Sequence, residues 1–185
     1  MMGETKGGAR VQLIFLGLIF VMLDFSVALG SLHIGLLPDF VGYYLIQRGA
    51  RRMTPNCIRF ADLRPAAKTF CIYSAVRYAL ELAGLLAGKR GMAMLLGAVE
   101  LTGMLYTCWQ LKSAVTALEE QKGLDLGAPQ LSAAWTALLA LSLLQQLLLP
   151  MRAPGTLLTF AMLAAEACFL LRFEASHNRW RNGGT

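Results

Sequence analysis

The chain has 185 residues, of which 56% are hydrophobic and only 15% charged. Adding the 18 glycines brings the apolar share to about two thirds, against 45–50% in soluble domains. Such a balance excludes a disordered chain, a coiled coil and an ordinary soluble enzyme. A bilayer-spanning helix needs about 20 mostly apolar residues, so the apolar content is enough for about six.

The apolar residues fall into six runs. The first covers 11–30 and the second 32–48, the latter interrupted by Pro38 and Asp39. A basic stretch with Arg51, Arg52, Arg59 and Arg64 follows. The third run, 69–88, and the fourth, 91–111, are separated by Lys89 and Arg90. A second polar stretch holds Glu119, Glu120, Lys122 and Asp125, and runs 131–150 and 155–171 complete the set before a basic tail. These lengths suit helices and exclude an outer-membrane barrel, whose segments alternate over about ten residues. Lipid offers backbone groups no partners, so each span is predicted to be helical. The fold class is therefore all-α: one polytopic membrane domain over 1–185, a bundle of six transmembrane helices with the second short or re-entrant.

Orientation follows from the loop charges. With the N-terminus inside, 13 of the 17 Lys and Arg residues lie on the inner side. Only Lys89, Arg90 and Arg152 lie outside, and Arg77 falls within a span. Both termini are then cytoplasmic. Lys6 and Arg10 before an apolar run, with Ala28-Leu29-Gly30 near its end, would also suit a cleaved signal peptide. The run is about 20 residues long, beyond the usual 7–15, and contains Asp24, so it is read as a retained span.

Ionisable groups inside spans are costly and mark function by default. Here they are Asp24, Asp39, Arg77, Glu81, Glu100 and Glu166. At 1.5 Å per residue, Asp24, Asp39, Glu81 and Glu100 lie within about 5 Å of one another in depth, just outside the mid-plane. Arg77 lies about 2 Å and Glu166 about 4–5 Å inside it. Arg77 and Glu81 are four residues apart and can pair on one helix face. The cluster reads either as an ion or proton pathway or as a structural network. Pro38 at a first helical turn and Asp39 at the positive helix end suit a helix that starts late, with Pro38 and Gly42 marking a helix break. Gly84 and Gly88 form a GxxxG, read as packing. Arg48, Arg51 and Arg52 read as lipid-headgroup anchors.

No enzyme motif survives inspection. Gly84 to Lys89 is one residue short of a phosphate loop, and no catalytic residue is assigned. The four cysteines form no CxxC pair and the two histidines are far apart, so no metal site and no cofactor are predicted. The net charge of +6 sits at membrane edges, which argues against nucleic acid.

Leu37-Pro38-Asp39-Phe40-Val41-Gly42-Tyr43-Tyr44-Leu45-Ile46, after an apolar run carrying Asp24, resembles a segment of small uncharacterised bacterial integral membrane proteins, written LPDFxGYxLI. The likeness covers about 40 residues at the N-terminal end. It implies a bacterial cytoplasmic membrane location and attention to Pro38, Asp39 and Gly42. The leading functional class is a small ion- or proton-coupled transporter-like protein. The rival is a non-transporting accessory protein that meets a partner membrane protein or its own copy, and a membrane-embedded lipid enzyme is third.

Overall fold

The computed structural model describes residues 5–22, 26–29, 32–35, 38–86, 89–148 and 155–181. The fold is helical: α1 (Thr5–Met22), α2 (Asp39–Met53), α3 (Phe60–Leu82), α4 (Arg90–Lys122), α5 (Ala128–Leu148) and α6 (Gly155–Arg181). Between α1 and α2 lies a small antiparallel hairpin, β1 (Ser26–Leu29) and β2 (Leu32–Gly35), with Val27 opposite Ile34 and Leu29 opposite Leu32.

The helix ends follow local chemistry. Pro38 is extended (φ −69°, ψ 121°), and its carbonyl accepts a 3.0 Å bond from Val41 N–H. Asp39 then occupies the first turn of α2 and Arg51 and Arg52 the last, each complementing the helix dipole. Helix α4 stops at Gly123, whose φ of +63° suits a residue without Cβ. The Glu119 carboxylate then reaches across the turn and accepts bonds from Leu126 N–H (3.0 Å) and Ala128 N–H (2.9 Å). It thereby satisfies donors that the start of α5 would leave orphaned.

Each helix packs against its neighbours in chain order, and α6 returns to α1, so the six close a ring. Its interior holds Ile14, Leu18, Tyr43, Ile46, Leu63, Cys108, Leu111, Leu131, Leu138 and Phe169, all buried. Helices α1 and α2 touch backbone to backbone. A Cβ on Gly17 would lie 2.6 Å from the Gly42 carbonyl oxygen, and one on Gly42 would lie 2.6 Å from that of Gly17.

Several boundaries differ from the apolar runs. The run over 11–30 is not one helix: α1 ends at Met22 and the hairpin begins at Ser26. Helix α2 has 15 residues, about 22 Å, shorter than the hydrocarbon layer. Gly42 does not break it; the helix is continuous there, and the missing side chain admits Gly17 instead. Gly84 is not a packing glycine, because it takes φ +66° in the turn after α3 with open space around it, and Gly88 lies outside the described residues. The polar stretches are largely helical too. Helix α3 starts at Phe60 and α4 runs to Lys122, because Phe60, Leu63, Ala67, Ala114, Val115 and Leu118 bury one face while the charges ride the other. Likewise α6 continues to Arg181, burying Phe173, Ser176 and His177.

Among the described residues, Gly91–Lys122 and Ala128–Leu148 are long and apolar enough to cross a membrane. Only 22% of each apolar window is buried, so most of its apolar surface faces outward from the bundle.

Candidate functional site

Three of the predicted charged residues, Arg77, Glu81 and Glu100, meet where α3 and α4 run side by side. Arg77 and Glu81 are one turn apart on α3, and Arg77 Nε donates to Glu81 Oε1 at 3.0 Å. The other arm of the guanidinium pairs with Glu100 on α4. Ser74, buried one turn before Arg77, donates its hydroxyl to Glu100 Oε1 at 3.4 Å. Tyr73 donates to the Leu96 carbonyl at 2.7 Å and fixes the two helices to each other at that level. Nearby, Gly103 lets the Phe70 ring lie directly on the α4 backbone.

One arginine thus serves two carboxylates from two helices, which leaves the triad with a formal charge of −1. The side chains are 25% (Arg77), 33% (Glu81) and 17% (Glu100) exposed, so the group is sheltered without being sealed. Shelter from water strengthens the two pairs relative to fully exposed ones.

The other predicted residues are placed apart. Cys71 donates to the Phe40 carbonyl at 3.3 Å, and the Phe40 and Tyr78 rings lie 5.8 Å apart. These contacts set the start of α2, with Asp39, beside residues 71–78 of α3 and so level with Arg77. Glu166 on α6 interacts electrostatically with Cys108 on α4. Cys108 is two turns, about 12 Å, along α4 from Glu100. Asp24 lies outside the described residues. Pro38 precedes α2, and Arg48, Arg51 and Arg52 are exposed on its outer side. Among the described residues no group of three or more His, Cys, Asp or Glu side chains is placed to hold a metal.

Sequence reasoning did not single out Ser74 or Tyr73. The signal was available for Ser74, since a serine three residues before Arg77 shares its helix face. No spacing rule could reveal that Arg77 also reaches Glu100, because the pairing depends on how α3 and α4 are aligned.

The exposed faces of four helices change character along their length. On α2 the stripe Tyr44, Arg48, Arg51, Arg52 passes from aromatic to basic, and on α3 the stripe Arg64, Lys68, Ile72, Val76 passes from basic to apolar. On α4, exposed Tyr106 and Trp109 precede Lys112. On α6, exposed Leu171 is followed by Arg172. No family model, curated protein or solved structure matches this chain.

Proposed function

We propose that the chain crosses a bacterial cytoplasmic membrane six times with both termini inside, and that Arg77, Glu81 and Glu100 form the centre of a small ion- or proton-coupled transporter-like protein. The stripes on α2, α3, α4 and α6 support the membrane placement, because each passes between charged and apolar within about one turn, as at a headgroup boundary. Measured from Lys68, Arg77 lies about 14 Å deep; measured from Lys112, Glu100 lies about 18 Å deep. Both are mid-bilayer depths for a hydrocarbon layer of about 30 Å.

The observation that carries the functional reading is the shared guanidinium. A proton or monovalent cation arriving at the triad neutralises its surplus charge and weakens one arm of the α3–α4 link. Occupancy is thereby coupled to how tightly the two helices hold together. Asp39, level with Arg77 on the neighbouring helix, extends the site towards α2. No residue is assigned a catalytic role.

The test is proton and cation flux in vesicles for the wild type and for Glu81→Gln, Glu100→Gln, Asp39→Asn and Asp24→Asn. Lost flux at normal folded yield supports the reading. A wild type without flux, or variants that all fail to fold, refutes it.

A second reading has its own observation. The outer part of the α3–α4 pair exposes Val76, Leu82, Met92, Met94, Leu95 and Val99. An accessory protein would present this face to a partner membrane protein or a second copy. Co-purification of one defined partner, together with absent flux, would favour it.

A further inference from the structure

The opposite end of the bundle carries an unbalanced charge. Between residues 48 and 68 the chain has Arg48, Arg51, Arg52, Arg59, Arg64 and Lys68 against the single acid Asp62. All six basic side chains are exposed. Arg59 is paired with Asp62 at 3.5 Å, and the other five meet no carboxylate among the described residues. Five of the six net positive charges of the chain are therefore concentrated on one corner, where α2 turns into α3.

The corner is held rigid from below. Met53, Cys57, Phe60 and Leu63 are buried beneath it, and Thr54 Oγ1 donates to the Ala50 carbonyl at 2.9 Å. Its borders are apolar. Tyr44 is exposed one turn before Arg48 and Ile72 one turn after Lys68, while Ile58 at the tip is 74% exposed beside Arg59. Basic side chains flanked by exposed apolar ones suit a phosphate layer lying on hydrocarbon. A nucleic acid or a free anion would account for the charge but not for the apolar borders.

We infer that the α2–α3 corner is a docking surface for anionic phospholipid headgroups, which it selects over zwitterionic ones. The inference rests on the membrane placement proposed above. Each Lys or Arg near an anionic leaflet contributes about fivefold in binding. Replacing three of them weakens binding by roughly 100-fold.

The test titrates full-length protein in mild detergent with short-chain phosphatidylglycerol or phosphatidylcholine, reading apparent affinity from the shift in unfolding temperature. Phosphatidylglycerol should bind the wild type more tightly, lose affinity between about 50 mM and about 500 mM salt, and bind the Arg48→Gln/Arg51→Gln/Arg52→Gln variant roughly 100-fold more weakly. The corresponding triple lysine variant keeps the charge and should keep the preference. If the glutamine variant does not fold, the salt dependence and the lysine variant decide. Equal binding of the two lipids, indifference to salt, or an unchanged preference in the folded glutamine variant overturns the inference. Displacement of the lipid by an equal concentration of inorganic phosphate also overturns it, by assigning the corner to a free anion. A protein that stays monodisperse without detergent would overturn the membrane placement instead.

Discussion

Gly42→Ala tests the backbone contact between α1 and α2. The new Cβ would stand 2.6 Å from the Gly17 carbonyl oxygen, 2.7 Å from Val21 Cγ2 and 2.8 Å from Phe20 Cβ. Ordinary contact begins at 3.4 Å, so the helices must part by about 0.8 Å. Two of the three obstacles sit on or next to the α1 backbone and cannot swing aside. Overpacking of this kind costs about 3 kcal/mol at the upper end, and the better helix propensity of alanine returns about 1. The net loss is about 2 kcal/mol, roughly 30-fold in the folded-to-unfolded ratio. The assay is unfolding by dodecyl sulfate in mixed micelles, followed by circular dichroism. Gly97→Ala is the control, since nothing lies within 4 Å of that position and only the propensity gain remains. Gly17→Ala repeats the clash from the other side. One separation of the helices relieves both clashes, so the double variant should cost less than the sum of the two single ones. Equal stability of Gly42→Ala and wild type, or strict additivity of the pair, would refute the close approach.

Arg77→Gln leaves Glu81 and Glu100 without their shared cation and should cost about 3 kcal/mol, measured by the same unfolding titration. Arg77→Lys should recover part of that loss, though one ammonium cannot reproduce a two-armed fork. Glu119→Ala removes the acceptor for two N–H groups at the start of α5 and should cost about 1–2 kcal/mol; unchanged stability would show that water replaces it fully. In membrane vesicles, a cysteine introduced at Lys89 should react with an impermeant reagent added outside, whereas one at Arg59 should not, and the reverse pattern would overturn the proposed orientation.

Much of the helical pattern was legible because apolar runs mark where helices must be. The run over 131–150 differs from α5 (Ala128–Leu148) by only a few residues. The late start of α2 followed from Pro38 and Asp39. Legibility failed where a helix outlives its apolar run. Residues 112–122 look like a loop by charge, yet Ala114, Val115 and Leu118 form a buried stripe that keeps α4 helical. It failed again at 26–35, where Val27 and Ile34 are apolar enough to continue a span but pair as strands. At the site, the Arg77–Glu81 pair could be read from four-residue spacing. Its extension to Glu100 could not, because single-chain periodicity carries no information on the alignment of two helices. Gly42 was noticed for the wrong reason, since nothing in the sequence identifies Gly17 as its counterpart.

Because the helices follow one another around the ring in chain order, the last contact to form joins the last helix to the first. While α6 is still being synthesised, five helices form an open crescent. The buried layer that Phe169 and Met162 share with Leu111 and Leu138 is then still open on one side. The ring therefore closes only once α6 has been made, and a product cut short before Phe169 has its central layer uncovered. Proteases that survey such surfaces distinguish finished from unfinished copies by that single closure.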